Sequence, residues 1–238
     1  MGNDAVLITG ASDGIGFETV KIYLENNFNV IAHYRKNPKK LNKIKSNKLK
    51  LIQCDFEDTS NLKSFVKKCN DKFHIKILIN NAAFYQYDGT PNKINIRSIE
   101  KYLKINLVTP YVLSQEFSKH MFVKREGKII NISSVSTKHG GAINSSFYTI
   151  TKSGLEQMTR TLSKSYAKHN INIIALRIGV TKTKFHDKNP SKNLNERKNM
   201  IPLSRIANPS EIANVIYLFS TDSLSYCTGT VIDITGGE

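Results

Sequence analysis

Short apolar runs alternate with longer amphipathic stretches along nearly the whole 238-residue chain. Continuous apolar runs are typical of strands that are buried on both faces, and amphipathic stretches are typical of the helices that cover them. Their alternation predicts an α/β fold with one doubly wound parallel sheet. We predict seven strands, at Ala5–Thr9, Asn29–Tyr34, Leu49–Cys54, Ile75–Asn80, Lys128–Ser133, Asn172–Arg177 and Thr230–Ile234.

The amphipathic stretches between the strands predict helices at Gly14–Asn26, Pro38–Ser46, Ser60–Lys72, Ser98–Lys124, Phe147–His169 and Pro209–Ser220. The segment from Lys182 to Ala207 is polar, contains Pro190 and Pro202, and lacks a clear period. It predicts a mobile loop with room for one short helix, and long loops of this kind usually serve binding. We therefore interpret 182–207 as a substrate loop within a single domain that spans residues 1–238.

Composition excludes several classes of protein. The three cysteines are too few and too irregularly spaced for a disulfide framework or a zinc site, and we expect no bound metal. Residues Met1 to Asp4 lead directly into the first strand without a cationic leader, and no apolar run reaches the length of a membrane span. We therefore expect a cytoplasmic protein that makes no membrane contact.

The formal net charge of +16 would attract anions such as nucleotides, acidic carrier proteins or nucleic acid. A lysine-rich, compositionally biased proteome would give the same excess on a solvated surface. No basic run is interleaved with aromatic residues in the way that single-strand binders require, so a nucleic-acid partner is disfavoured. A non-catalytic nucleotide-sensing or RNA-binding protein remains the alternative from another functional class, and salt-sensitive RNA binding without turnover would distinguish it.

A glycine-rich turn, Thr9 to Gly16, follows the first predicted strand and precedes the first helix. A turn of this kind lets the backbone approach a pyrophosphate, whose charge then lies at the helix N-terminus. Its glycines, Gly10, Gly14 and Gly16, do not have the spacing of the usual dinucleotide fingerprint, and an ordinary tight turn is the alternative. The strand and helix on either side favour a dinucleotide site.

The second strand ends in His33-Tyr34-Arg35-Lys36, with two cations where an NAD site would place a carboxylate. This favours NADP(H) over NAD(H), although Arg35 and Lys36 could belong to a solvated loop and Asp13 would repel a 2′-phosphate. Asp55, after the third strand, could accept a hydrogen bond from an adenine amino group, or it could be a helix-capping or loop carboxylate.

Tyr148 and Lys152 lie four residues apart in a predicted helix, so their side chains share one face. An ammonium beside a phenol favours the ionised phenolate, which makes the tyrosine a candidate proton donor in acid–base catalysis. A free tyrosine has a pKa of about 10, so this role requires several kcal/mol of stabilisation from the lysine and a positively charged cofactor ring.

Taken together, these motifs resemble those of the short-chain dehydrogenase/reductase family, in the same order and over almost the whole chain. The family's T-G-x-x-x-G-x-G corresponds to Thr9–Gly16, its N-N-A-G to Asn80–Ala83, and its Y-x-x-x-K to Tyr148 and Lys152. The active-site serine and asparagine correspond to Ser134 and Asn106. The chain departs from the family at Ala83, at Ile178 before Gly179, and in a Ser134–Tyr148 spacing that is one residue longer than usual.

The resemblance implies a Rossmann-type fold and hydride transfer from a nicotinamide, with Ser134 polarising a carbonyl, Tyr148 donating the proton and Lys152 assisting. Ser133 or Ser136 could replace Ser134 if the loop register differs. Pro110 has no N–H for the carbonyl of Asn106, which predicts a distorted helix there. In the family, the corresponding asparagine carbonyl holds a water that completes a proton relay to the lysine. A simple packing kink is the alternative. The implied cofactor-binding residues are Gly10, Ser12, Asp13, Gly14, Ile15, Gly16, Arg35, Asp55, Phe56, Asn81, Ala82, Ala83, Tyr148, Lys152, Gly179, Thr181 and Thr183.

The resemblance is nearest to 3-oxoacyl-[acyl-carrier-protein] reductases, which implies a small carbonyl or acyl-carrier substrate. Pteridine reductases and sugar or steroid dehydrogenases fit the same motifs. Family members commonly form tetramers through the helices that correspond to Ser98–Lys124 and Phe147–His169, so we expect a homotetramer or homodimer.

Overall fold

A seven-stranded, wholly parallel sheet forms the centre of the molecule, in a computed structural model that describes residues 4–87, 95–184 and 194–238. The strand order is β3-β2-β1-β4-β5-β6-β7, and all pairs are parallel, as expected of a doubly wound parallel sheet. The strands are β1 (Asp4–Ile8), β2 (Asn29–Tyr34), β3 (Leu49–Gln53), β4 (His74–Asn80), β5 (Gly127–Ser134), β6 (Ile171–Ile178) and β7 (Val231–Ile234). All seven predicted strands are therefore confirmed, with ends that shift by no more than one residue.

Helices cover both faces of the sheet. They are α1 (Gly14–Glu25), α2 (Leu62–Asn70), α3 (Ile96–Leu103), α4 (Thr109–Lys124), α5 (Ser136–His139), α6 (Ser146–Tyr166), α7 (Leu194–Asn199) and α8 (Pro209–Ser220). One buried core lies beneath α2, α4 and α6, and a second lies beneath α1 and α8 on the opposite face. The α/β doubly wound, Rossmann-type class expected from the sequence is confirmed.

One predicted helix is wrong. Over Pro38–Ser46 the chain forms only a single 3-10 turn, Leu41–Lys43, and Ile44 is already extended. The segment contains four lysines and buries only Leu41 completely. Helix nucleation is costly, and a short segment with so little apolar surface to bury cannot offset that cost.

The long helix predicted from Ser98 to Lys124 is interrupted. A π-helical turn, Lys104–Val108, separates α3 from α4 and contains Asn106. Pro110 lies in the first turn of α4, and Thr109 Oγ1 donates to the carbonyl of Lys104 at 2.8 Å. The distortion predicted from the missing N–H of Pro110 is therefore present.

From β1 the chain adds β2 and β3 on one side of the sheet, and from β4 it adds β5, β6 and β7 on the other, so the strand order reverses between β1 and β4. In open α/β sheets, ligands bind outside the carboxyl ends of the strands at such a reversal point. The glycine-rich turn follows β1 and Asn81–Ala83 follows β4, so both motifs lie at this edge. Residues 185–193 of the predicted substrate loop, Pro190 among them, lie outside the described residues, and α7 occupies part of the remainder.

Candidate functional site

The glycine-rich turn packs directly against the end of β4. Gly10 and Gly14 have positive φ angles of 67° and 56°, a region that side chains disfavour. A Cβ on Gly10 would lie 2.8 Å from the Cα of Ala82, and a Cβ on Gly16 would lie 2.4 Å from the Gly10 carbonyl oxygen. Glycine at positions 10 and 16 is therefore a steric requirement, and the turn presents bare backbone at the N-terminus of α1.

Thr9 and Asn81 fasten the two loops of this edge together. Thr9 Oγ1 accepts hydrogen bonds from the backbone amides of Asn81 and Ala82, each at 3.0 Å. The Asn81 side-chain amide donates to the carbonyls of Thr9 and Gly10, at 2.8 and 3.1 Å. The Asn81 side chain is thus a structural brace, while Ala82 and Ala83 leave space in the cleft.

His33 is a support for the glycine-rich turn that sequence reasoning missed. Its Nδ1 accepts from the Gly10 amide at 3.1 Å, so the proton lies on Nε2, which donates to the Cys54 carbonyl at 3.0 Å. Burial lowers the pKa of His33 to about 4, although the bond to Cys54 opposes the change. The neutral ring stacks on Phe56 at 3.9 Å, so the Phe56 side chain belongs to the core. A buried polar residue in an apolar strand was the available signal.

Asp13 caps α1 and pairs with two cations. Its carboxylate accepts from the Gly14 amide at 2.9 Å and forms ion pairs with Lys40 and Lys184, the second at 3.2 Å. Burial alone would raise the pKa of Asp13, but the hydrogen bonds from Lys40, Gly14 and Lys184 outweigh it and the pKa lies below its ordinary value. The negative charge that would oppose a bound phosphate is therefore balanced within the protein.

Ser134, Tyr148 and Lys152 meet in the same cleft, at the ends of β5 and α6. Ser134 and Tyr148 are joined by a side-chain hydrogen bond. The Lys152 ammonium donates to the Ile132 carbonyl at 2.6 Å and lies 5.8 Å from the centroid of the Tyr148 ring. The ring of Tyr85 packs edge-on against Tyr148, a contact that the sequence gave no means of predicting.

Burial dominates the ionisation of this cluster. It raises the pKa of Tyr148 above its ordinary value, and the hydrogen bond with Ser134 offsets the rise only in part. It also lowers the pKa of Lys152 to about 8. The expected acidic phenol is therefore not produced by these residues alone, and Tyr148 holds its proton firmly.

The neighbouring serines have different environments. Ser133 is buried and donates to Glu156 at 2.7 Å, so its hydroxyl is already used. Ser136 Oγ is buried and has no hydrogen-bond partner, although the Ser136 amide donates to Ser134 Oγ at 3.2 Å. Of the three candidate serines, Ser134 is the one that is hydrogen-bonded to Tyr148.

Asn106 lies behind the cleft and is fully buried. Its side-chain oxygen accepts from the Phe84 amide at 2.7 Å, and its amide nitrogen donates to the Phe84 carbonyl at 3.0 Å and to Thr151 Oγ1 at 3.2 Å. The side chain therefore ties the π-helical turn to the loop after β4 and to α6. Because these contacts occupy the side chain, only the backbone of Asn106 is available for a direct part in the chemistry.

The cleft has a volume of about 1070 Å³ and brings together most of the predicted site. Arg35, Asp55, Phe56, Gly16 and Asn106 do not line it. Asp55 accepts from the Glu57 amide at 3.1 Å within the loop, and Asp58 rather than Asp55 caps the 3-10 helix that follows. The predicted residues that do line the cleft are Gly10, Ser12, Asp13, Gly14, Ile15, Asn81, Ala82, Ala83, Ser134, Tyr148, Lys152, Gly179, Thr181 and Thr183.

Among the described residues, no helix is long and apolar enough to cross a membrane. Within the same parts of the chain, no group of three or more His, Cys, Asp or Glu side chains has an arrangement that could hold a metal ion.

Fold and cleft together define a dinucleotide-binding α/β oxidoreductase site. The family model for short chain dehydrogenases matches residues 4–194. The chain therefore belongs to the short-chain dehydrogenase family, whose members use NAD(P)(H), and the prediction of a redox enzyme is confirmed.

Curated relatives match over nearly the whole chain. The 3-oxoacyl-[acyl-carrier-protein] reductase FabG of Thermotoga maritima is 31% identical over 237 residues, which cover 97% of this chain and 96% of the relative. FabG of Buchnera aphidicola subsp. Schizaphis graminum is 33% identical, with 97% and 95% coverage. The solved 4-hydroxyisoleucine dehydrogenase complexed with NADH and succinate has a TM-score of 0.88 at 26% identity, covering 98% of both chains.

Proposed function

We propose that this enzyme is an NADPH-dependent carbonyl reductase in which Tyr148 protonates the carbonyl oxygen. One observation carries the proposal: Tyr148 is hydrogen-bonded to Ser134 and stands beside Lys152 in a cleft that opens from the N-terminus of α1. This arrangement places a proton, a neutral donor and a cation around one position. A carbonyl oxygen that gains negative charge during reduction needs these three groups.

The dinucleotide fits the residues at this edge of the sheet. Gly10, Ser12 and Gly14 line the cleft at the N-terminus of α1, where backbone N–H groups and the helix dipole favour a pyrophosphate. When bound, the nicotinamide supplies the hydride. Gly10, Gly14, Ala82 and Thr183 would hold the cofactor along the cleft.

The protein's own residues account for the proton. Ser134 donates a hydrogen bond to the substrate oxygen and Tyr148 then transfers its proton to it, leaving a phenolate. A phenolate in this buried position is costly, and the adjacent ammonium of Lys152 offsets that cost. The pKa of Lys152, lowered to about 8 by burial, keeps most of the lysine protonated at neutral pH.

The preference for NADPH over NADH rests on charge at the end of β2. Arg35 and Lys36 are exposed there, and Gln53 fixes the Arg35 carbonyl by a hydrogen bond of 2.9 Å. Lys40 and Lys184 balance the carboxylate of Asp13, so the feature that opposed a 2′-phosphate is weakened. The 4-hydroxyisoleucine dehydrogenase was solved with NADH, which makes a direct comparison of the two cofactors necessary.

We propose a 3-oxoacyl thioester as the substrate. Met200 lines the cleft and Ile143 lies between two lining residues, and both side chains are largely exposed, which suits an acyl chain at the entrance. The FabG relatives act on carrier-bound 3-oxoacyl groups by their names. A small polar ketone is the second candidate, because Arg197 and Glu238 form an ion pair on the cleft wall.

The test is NADPH oxidation with a panel that contains a 3-oxoacyl thioester, a sugar, an oxo amino acid and a pteridine. We expect turnover with the thioester. Tyr148→Phe should lower kcat by a factor on the order of 100 to 10,000 while NADPH binding is retained. Tyr226→Phe, on a fully exposed tyrosine, is the matched control. Normal turnover by Tyr148→Phe would remove Tyr148 from this role.

We also propose that two copies associate through α4 and α6. Val108, which precedes α4, Tyr111, on α4, and Ile150, on α6, are exposed apolar side chains. Association would remove this surface from water, which is favourable. Sedimentation equilibrium should give a dimer or tetramer, and a monomer at all concentrations would contradict the proposal. A cytoplasmic location stays a prediction.

A further inference from the structure

A buried ion pair lies directly behind the proposed catalytic residues. Glu156 on α6 is 4% exposed, and its Oε2 accepts from Nη2 of Arg177 on β6 at 2.8 Å. Its Oε1 accepts from the Arg177 Nε at 3.1 Å, so the contact is bidentate. Arg177 also donates to Asp233 of β7 at 2.7 Å, which anchors the guanidinium to a third element.

Glu156 continues the catalytic face of α6. Tyr148, Lys152 and Glu156 follow one another at intervals of four residues, so their side chains form one stripe along the helix. The first two members face the cleft and the third points to the end of β5. Any displacement of Glu156 would therefore change the relation between α6 and the strand that carries Ser134.

The carboxylate contacts one residue before Ser134 in the sequence and one after it. Glu156 Oε1 lies 2.7 Å from Ser133 Oγ and 2.7 Å from Thr137 Oγ1. Thr137 Oγ1 also lies 2.8 Å from the Ser134 carbonyl and accepts from Arg177 Nε at 2.8 Å. Because the Thr137 hydroxyl has one proton, it donates either to Glu156 or to the Ser134 carbonyl, and the segment 133–137 around Ser134 is joined to the ion pair through Ser133 and Thr137.

Burying the charges of Glu156 and Arg177 costs desolvation free energy, so this network is not an efficient source of stability for the fold. Burial by itself would raise the pKa of Glu156, but the hydrogen bonds from Arg177, Ser133 and Thr137 outweigh it and keep the carboxylate charged. Well-packed apolar residues often serve stability as well as a buried ion pair does, or better. Because Glu156 also contacts Ser133 and Thr137, the ion pair can fix the position of the chain around Ser134.

We propose that Glu156 and Arg177 are positioning residues that hold the Ser134 hydroxyl within hydrogen-bonding reach of Tyr148. The inference rests on the proposed roles of Ser134 and Tyr148. Loss of the Glu156–Arg177 ion pair would let the end of β5 shift relative to α6. A misplacement of a catalytic group by about 1 Å can lower the rate on the order of 100-fold. Cofactor binding, which depends on the other end of the cleft, would be little affected.

The test is a kinetic double-mutant cycle with Glu156→Gln and Ser134→Ala. Glu156→Gln should lower kcat on the order of 10-fold to 100-fold, with KM and NADPH affinity changed less than about threefold. In the Ser134→Ala background the same change should have almost no further effect, because the group being positioned is already absent. Glu211→Gln removes one partner of the exposed ion pair between Arg205 and Glu211 of α8 and should leave kcat unchanged.

The outcomes separate the possible failures. Equal losses of kcat in both backgrounds would show a general structural role for Glu156 and overturn the inference. Full activity of Ser134→Ala would instead refute the proposed function of Ser134. Should Glu156→Gln not fold, the double variant Glu156→Met/Arg177→Met removes both charges together; recovered stability with a low kcat supports positioning, and recovered kcat overturns it.

Discussion

The buried ammonium of Lys152 should make the stability of the enzyme depend on pH in a way that one substitution removes. Lys152 is 2% exposed, and burial lowers its pKa from the ordinary 10.5 to about 8. Between these two values the unfolded chain binds more protons than the folded protein does. The free energy of unfolding should therefore rise with pH across this window.

The size of this effect follows from the two pKa values. A pKa of about 8 in place of 10.5 corresponds to a penalty of about 3 kcal/mol for folding with a charged lysine, present in full below about pH 8. By pH 10 most of that penalty is gone. The wild-type free energy of unfolding should therefore gain about 2.5 kcal/mol relative to Lys152→Met between about pH 7 and pH 10.

The assay is urea unfolding of the cofactor-free protein at a series of pH values, for wild type and Lys152→Met. The variant also loses the hydrogen bond to the Ile132 carbonyl, which costs about 1–3 kcal/mol at every pH and so does not change the slope. Lys164→Met, on an exposed position of the same helix, controls for the loss of a lysine. If the free energies of unfolding of wild type and Lys152→Met changed with pH in parallel, the inference that Lys152 is buried and charged would be refuted.

The other predictions concern the cofactor end of the cleft. Arg35→Asp should shift the ratio of NADPH to NADH turnover toward NADH at least tenfold, because it replaces a cation by a carboxylate at the proposed 2′-phosphate position; an unchanged ratio would contradict the assignment. Gly16→Ala should cost about 1–3 kcal/mol of unfolding free energy and weaken NADPH binding in a fluorescence titration, since its Cβ would lie 2.4 Å from the Gly10 oxygen. Gly154→Ala is the control: its Cβ would meet only the flexible Leu107 side chain at 3.2 Å, so equal losses in both variants would refute the steric argument.

Local patterns were sufficient for the sheet and for the identity of the chemistry. A strand buried on both faces is apolar over its whole length, so each strand was visible in the sequence before its partners were known. Pro110 lacks an N–H wherever it stands, so the break at Asn106 was equally visible. Pro38–Ser46 was the exception, because whether a weak helix forms depends on the surface available to cover it.

Interactions between distant residues were not visible in this way. His33 meets Gly10 and Cys54, and Glu156 meets Ser133 and Arg177, across separations of more than twenty residues. The sequence also left Ser133, Ser134 and Ser136 as alternatives. Their roles differ only because Glu156 occupies the first hydroxyl and Tyr148 is bonded to the second.

By itself, the amino-acid sequence determined the strands, the glycine-rich turn and the spacing of Tyr148 and Lys152, because each of these follows from covalent geometry and local periodicity. Tertiary structure alone decided that Lys152 is buried, that Tyr148 keeps its proton more firmly than a free tyrosine, and that a buried ion pair contacts Ser133 and Thr137 on either side of Ser134. The reason is that desolvation and charge pairing depend on which surfaces meet in the folded protein, and no local pattern records that.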